Sequence, residues 1–115
     1  MSAETYVFPP PPVVSLPIEG LPSRFPVRRV FCVGRNYAAH AREMGHDPDR
    51  DPPFFFIKNR EDVVDIAAAG GRIAYPAGTA DFHHEIELVV ALGGGGTDIL
   101  EEDALPLVYG YAVGL

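Results

Sequence analysis

The 115-residue sequence predicts a β-rich α+β fold with short helices in a single domain. Several short runs rich in β-branched and aromatic residues are separated by glycine, proline, asparagine and aspartate, which favour turns. The segments with helical character are only a few residues long, and 12 glycines and 12 prolines limit their extension. We therefore expect strands that are joined by turns and brief helical segments.

Residues 1–27 are predicted to form a proline-rich N-terminal arm that precedes the body of the fold at residues 28–115. Residues 9–27 contain seven of the twelve prolines. Because proline has no backbone N–H and a fixed φ, this segment cannot sustain a helix and should run extended with turns. Such an arm can pack on the body or on a partner.

The first strand of the body is predicted at residues 28–34 ("RRVFCVG"), where Gly34 permits a sharp change of direction. A helix of about two turns is predicted to follow at residues 36–45. Asn36 is a suitable N-cap, the interior is rich in alanine, and Gly45 stands where a left-handed residue commonly ends a helix.

An aromatic strand that is buried on at least one side is predicted at residues 54–58 ("FFFIK"). Residues 59–71 fit either a helical turn or an irregular crossing. Residues 72–76 and 82–92 are further strand candidates, and the glycines of residues 93–98 predict a turn. A phosphate-binding loop is not supported there, because no G-x-G-x-x-G or G-K-[ST] pattern opens a helix.

The C-terminal elements are a short helix and a strand. Residues 101–108 carry acidic residues in their first turn, and Pro106 should cut this helix short or kink it. Residues 109–115 begin another strand, and the sequence reaches Leu115 within that apolar run. We therefore expect the sequence to be the front part of a longer protein.

The charge balance and the cysteine content exclude several classes of function. Nine Lys and Arg against 16 Asp and Glu give a net charge of −7, which opposes nucleic-acid binding. No apolar run approaches the roughly 20 residues that a membrane span needs, and no signal peptide is evident. The lone Cys32 allows no internal disulfide, which favours a reducing, cytoplasmic location.

Two carboxylates stand at the start of the candidate strand 82–92. In a strand, His83, Glu85 and Glu87 would share one face, while Leu88 and Val90 would mark the opposite, core-facing side. Neighbouring carboxylates are costly unless a cation lies between them, and oxygen ligands favour Mg²⁺ or Mn²⁺ with a third ligand from another segment. The alternative is a solvated strand face that carries ordinary charges.

A histidine and a glutamate lie three residues apart on the predicted helix, at His40 and Glu43, and would be neighbours on one face. A carboxylate that orients an imidazole suits a general base that activates water. The same spacing also fits a weak surface ion pair.

The chain resembles the fumarylacetoacetate hydrolase family over roughly residues 28–115. The most specific segments are G-R-N-Y-x-x-H-x-x-E at residues 34–43 and H-x-E-x-E-L at residues 83–88. The segments "PPFFFIK", "IAYP" and "ALPLVYGYAVGL" occur in the family's order and spacing, and the stretch around the first motif is especially similar to fumarylpyruvate hydrolases and acylpyruvases.

The resemblance implies a mixed β-roll with short helices, of which residues 28–115 are the N-terminal part, usually assembled as a homodimer. It implies that Glu85 and Glu87 are two of three carboxylate ligands to Mg²⁺ or Mn²⁺, the third being an Asp that follows in the family. It also implies that His40 and Glu43 form the water-activating dyad on a helix that can close over the site. A partial roll would expose apolar surface and strand edges, so these residues alone should be poorly stable.

The same resemblance implies three substrate-binding residues. Lys58 matches a family lysine near the substrate, although Asn59 stands here where the family usually has proline. Arg35 and Tyr37 are expected to position the substrate carboxylate, or alternatively to pack the turn between strand and helix.

The implied activity is metal-dependent hydrolysis of the carbon–carbon bond in a 2,4-dioxo acid such as fumarylpyruvate or another acylpyruvate, giving pyruvate and a carboxylic acid. Decarboxylation of oxaloacetate or isomerisation of related dioxo acids is the alternative within the family. A truncated, non-catalytic fragment and a small metal-binding module are the alternatives outside it.

Overall fold

The computed structural model describes residues 3–34, 36–45, 47, 52–68 and 70–115, without the side chains of residues 38, 40 and 41. The chain divides into two compact units, Met1–Ile73 and Ala74–Leu115. Strands dominate both, and the helices are short, which confirms the predicted β-rich α+β class.

The described elements are six strands and two α-helices. The strands are β1 (Ser15–Ile18), β2 (Leu21–Pro26), β3 (Val30–Gly34), β4 (Phe54–Lys58), β5 (Glu87–Leu92) and β6 (Val108–Gly114). The helices are α1 (Ala38–Glu43) and α2 (Glu101–Ala104). The strands form three antiparallel pairs, β1 with β2, β3 with β4 and β5 with β6. Neither described helix has the length and hydrophobicity to cross a membrane.

The proline-rich segment is extended as predicted, but it also pairs with itself. β1 and β2 form a hairpin whose turn contains Gly20 at φ 74°. Across the hairpin, Arg24 donates hydrogen bonds of 2.8 Å to the Oγ and the carbonyl oxygen of Ser15. Proline is tolerated because each strand of a two-stranded sheet has an open edge where no backbone donor is needed. The composition excluded a helix but did not specify this pairing.

β3 and β4 form the second hairpin, with Val30 opposite Lys58 at one end and Gly34 opposite Phe54 at the other. The strand predictions for residues 28–34 and 54–58 are therefore confirmed. The expectation that the aromatic strand is buried is wrong, because its apolar side chains are 43% to 72% exposed. A two-stranded sheet buries a face only when another layer packs on it, and no such layer covers β4 in the described part of the chain.

α1 lies within the predicted helix, and Gly45 follows it at φ 80°, where its N–H donates to the carbonyl of Arg42 at 3.0 Å. In the described part of segment 59–71, a 3₁₀ turn at Arg60–Asp62 is followed by hydrogen-bonded turns. The predicted strand at residues 72–76 is wrong, since these residues pair with no strand among the residues that the structure describes. A short apolar run becomes a strand only where a neighbour offers its hydrogen bonds.

In the second unit, β5 begins at Glu87 and not at residue 82. The ladder with β6 starts where Glu87 pairs with Gly114, and residues 82–86 have no partner in the described register. The connection from β5 to β6 contains α2 and a 3₁₀ turn at Leu105–Leu107 that includes Pro106. The predicted early end of this helix is confirmed.

Apolar side chains of the described residues lie mostly at the surface. Val27 alone among them is buried, at 8% exposure. One face of the β5–β6 hairpin is wholly apolar, and its side chains are 44% to 77% exposed: Leu88, Val90, Tyr111 and Val113. The alternation of residues in the sequence predicted that this face would point toward a core. The face is apolar as predicted, but no other part of the described chain covers it.

Candidate functional site

The two candidate metal ligands lie at the start of β5. Glu87 is the first residue of the strand and is half-buried, whereas Glu85 precedes the strand in a segment without ladder hydrogen bonds and is exposed. Glu87 lies opposite Gly114, so no cross-strand side chain stands directly against its carboxylate. The predicted alternation of side chains along a strand therefore applies from Glu87 onward. The position of Glu85 is set by the non-strand segment that precedes β5.

The residues before Glu85 form a local polar cluster. Nε2 of His83 lies 2.6 Å from Oδ1 of Asp81, and both side chains are mostly exposed. The N–H of Asp81 donates to Oγ1 of Thr79 at 3.1 Å, which fixes a tight turn. The sequence predicted His83 as a companion of the glutamates, and its contact with Asp81 was not predicted. The Asp-x-His spacing at residues 81–83 is the local signal for this contact.

The donor chemistry of Glu85 and Glu87 suits a hard divalent cation, because carboxylate oxygens are the ligands that Mg²⁺ and Mn²⁺ prefer. Within the described residues, no group of three or more His, Cys, Asp or Glu side chains is placed to hold a metal. The two carboxylates are ligands of the type that such a cation prefers, but a further ligand is needed to complete the site.

The candidate dyad lies on α1 in the first unit. His40 and Glu43 are both within the helix at the predicted three-residue spacing. The side chain of His40 lies outside the described residues, and so does Arg35 as a whole. Tyr37 directly precedes the helix and is 45% exposed.

Lys58 lies at one end of the β3–β4 ladder, and the chain continues to α1 from the opposite end. It pairs with Val30, whereas the chain leaves for α1 from Gly34, four residues further along β3. At about 3.4 Å per residue the two ends of the ladder are roughly 13 Å apart. Lys58 is exposed there and lines a cleft together with three arginines.

A family model described as "Fumarylacetoacetate (FAA) hydrolase C-terminal" matches residues 29–115. Two curated relatives are similar over most of the chain. The mitochondrial oxaloacetate decarboxylase of Dictyostelium discoideum is 39% identical over 88 residues, which are 76% of this chain and 39% of that protein. The mitochondrial oxaloacetate tautomerase FAHD1 of Oryza sativa subsp. japonica is 37% identical over 87 residues, 76% of this chain and 37% of that protein.

Among solved structures, fumarylpyruvate hydrolase from Pseudomonas aeruginosa, in complex with Mn²⁺ and pyruvate, is 53% identical and superposes with a TM-score of 0.86. The match covers 95% of this chain and 47% of that chain. The fold is therefore that of the corresponding part of this hydrolase. The chain spans less than half of the length of each of these relatives.

Proposed function

The chain belongs to the fumarylacetoacetate hydrolase family, and from this premise we propose that it acts in divalent-metal-dependent hydrolysis of a 2,4-dioxo acid such as fumarylpyruvate. The observation that carries the proposal is the 53% identity to a fumarylpyruvate hydrolase whose structure contains Mn²⁺ and pyruvate. Pyruvate is the product expected from the proposed reaction. The other product would be a carboxylic acid.

Glu85 and Glu87 are the proposed metal ligands of this chain, with a third ligand from outside this pair. A bound Mg²⁺ or Mn²⁺ would supply Lewis-acid polarisation of the 2-oxo acid. The position of Glu87 supports this role, because the residue opposite it in the ladder is Gly114, which has no side chain to pair with the carboxylate. The exposed Glu85 carries no cost of burying a charge before a cation binds.

His40 is the proposed general base, with Glu43 as the residue that orients its imidazole. His40 would take a proton from water, whose oxygen attacks the carbonyl distal to the pyruvyl end. The carbon–carbon bond next to that carbonyl breaks, its electron pair stays with the pyruvyl carbon, and the proton held by His40 passes to that carbon. Arg35 and Tyr37 are proposed to hold the substrate carboxylate, and Lys58 a second polar group of the substrate.

A metal-binding measurement tests the ligand assignment. In the active enzyme, Glu85→Gln and Glu87→Gln should each weaken Mn²⁺ binding by roughly tenfold or more, because a ligand charge is lost while the side-chain volume is kept. Glu101→Gln on α2 makes the same charge change at an exposed position and should leave the affinity unchanged. Equal affinities in all three variants would remove the two glutamates from the metal site.

A kinetic measurement tests the dyad. His40→Ala should lower kcat by about 10²- to 10⁴-fold with little change in KM, since general-base catalysis acts on the chemical step. Release of pyruvate from fumarylpyruvate is the assay.

The same assay tests the metal requirement. Chelator should abolish turnover and added Mn²⁺ should restore it, and full turnover in chelator would contradict the metal role.

A second candidate is decarboxylation or tautomerisation of oxaloacetate. The 39% identity to an oxaloacetate decarboxylase and the 37% identity to an oxaloacetate tautomerase favour it specifically. A screen of fumarylpyruvate against oxaloacetate with the same preparation separates the two candidates, because turnover should be much greater with the native substrate.

A non-catalytic role is favoured by a different observation, the exposure of most of the large apolar side chains among the described residues. Such a chain would act only through association. Sedimentation of the 115-residue chain would then show concentration-dependent oligomers, and a fumarylpyruvate assay with Mn²⁺ would show no turnover.

We also propose a homodimeric assembly and a cytoplasmic location. The unpaired edges of three two-stranded sheets support association, because such edges pair readily with other strands. The lone Cys32 is half-buried and has no disulfide, which suits a reducing compartment.

A further inference from the structure

Four of the nine basic residues of the chain meet at one end of the β3–β4 hairpin. Arg28 and Arg29 directly precede β3, while Lys58 ends β4 and Arg60 follows it. The antiparallel register pairs Val30 with Lys58 and so brings these two parts of the sequence together. They line an open cleft of about 240 Å³.

The positive charge of this basic cleft is only partly balanced. Nε of Arg60 donates to Glu61 at 2.9 Å, and the guanidinium carbon of Arg29 lies 5.9 Å from the centre of the Phe31 ring. Within the part of the chain that the structure describes, Arg28, Arg29 and Lys58 form no ion pair with a carboxylate. Like charges that line one cleft repel one another, and an anion bound among them relieves this repulsion.

We propose that the basic cleft binds a small dianion that carries carboxylate or phosphate groups. Guanidinium groups present paired N–H donors that match the oxygens of both groups, and Lys58 adds a point charge. The volume lies below the roughly 300–1,000 Å³ of sites for drug-sized ligands, so a small ion fits. A polyanion such as nucleic acid is disfavoured because the whole chain carries a net charge of −7.

The proposed anion site shares Lys58 with the proposed substrate-binding residues but is otherwise separate from the proposed hydrolysis. All of its residues lie in the first unit, and it requires neither Glu85 and Glu87 nor a metal ion. Lys58 also takes part in the proposed substrate binding, so the test uses the two arginines, which have no role there. Binding is measured without metal, which separates failure of this site from failure of the metal-dependent activity.

The experiment is an NMR titration of the active enzyme in metal-free buffer. Fumarate and inorganic phosphate are the two probes, and acetate at matched ionic strength is the monoanion control. Saturable shifts of the backbone amides of residues 28–31 and 57–61 are expected with at least one dianion. These shifts should weaken as salt rises toward 1 M, where the screening length falls to about 3 Å. The stronger of the two probes identifies a carboxylate or a phosphate site.

Matched variants decide whether the cleft is responsible. The double variant Arg28→Gln with Arg29→Gln should weaken binding roughly tenfold, because two charge-assisted contacts at an exposed site are lost. Arg72→Gln removes one exposed arginine outside the cleft and should leave the affinity unchanged. The proposal is overturned if neither dianion gives saturable shifts, if acetate binds as well as the dianions, or if the double variant binds like the unmodified chain.

Discussion

Replacing Gly34 by alanine tests how tightly β3 and β4 pack at the end of the ladder from which the chain continues to α1, the helix that contains His40 and Glu43. A Cβ at this position would lie 2.3 Å from Cζ and 2.4 Å from Cε1 of Phe54, the residue opposite it in the ladder. Carbon atoms normally stay about 3.5–4.0 Å apart, so the ring must withdraw by more than about 1 Å. It would also disturb its packing on Phe56, whose ring centre lies 5.9 Å away.

The magnitude follows from two opposing contributions. Overpacking costs about 1–3 kcal/mol, and the ring is 47% exposed and can turn toward solvent, which keeps the cost below the upper limit. Alanine is better than glycine in a strand by about 0.5–1 kcal/mol. We expect Gly34→Ala to destabilise the hairpin by about 1 kcal/mol, which corresponds to about fivefold faster hydrogen exchange of the β3 and β4 amides.

Two further variants make the exchange experiment decisive. In a Phe54→Ala background the obstructing ring is absent, so Gly34→Ala should slow exchange by about two- to fivefold. Gly78 lies in a turn with nothing within 4 Å of an added Cβ, and Gly78→Ala should leave these amides unchanged. If Gly34→Ala slows exchange equally with and without the Phe54 ring, the ring does not limit this position and the reasoning fails.

Three other predictions concern local structure. Gly45→Ala should destabilise the end of α1 by about 1–2 kcal/mol, because alanine is strained at φ 80°, and protection of the amide of residue 45 should fall; unchanged protection would contradict this. Arg24→Ala removes both hydrogen bonds to Ser15 and should destabilise the β1–β2 hairpin by about 1 kcal/mol, seen as faster exchange of its amides, whereas equal exchange would show that these bonds add nothing. A hydrogen bond from the Arg60 side chain and one from the backbone N–H of Glu61 lower the pKa of the Glu61 carboxyl. The contribution of the Arg60–Glu61 pair to stability is therefore present above the ordinary pKa of a glutamate and is lost as the pH falls through the lowered value. An NMR titration should show this lowered pKa, and Arg60→Gln should raise it; the same midpoint in both proteins would refute the assignment.

The candidate site could be predicted from sequence where its signal is local. The three-residue spacing of His40 and Glu43 requires only a helix, and α1 contains both residues. The basic cleft has no such signal, because the segments that carry Arg28 and Lys58 are far apart in the chain. Only the register of β3 against β4 brings them together.

The limits of β5 show the same distinction. The alternating pattern indicated a strand from residue 82, but a strand extends only as far as its partner supplies hydrogen bonds, and the pairing begins at Glu87 opposite Gly114. The pattern therefore placed Glu85 within a strand, whereas the structure places it in the segment before one.

The sequence by itself determined the β-rich class, the position and end of α1, the short α2, and the family to which the chain belongs. These features depend on neighbouring residues, such as Gly45 after α1 and Pro106 after α2. The tertiary structure alone decided the hairpin in the proline-rich segment, the start of β5, the meeting of four basic residues, and the exposure of the apolar strands. The physical reason is that pairing and burial depend on which distant segment lies alongside, and that information is not contained in any local pattern of residues.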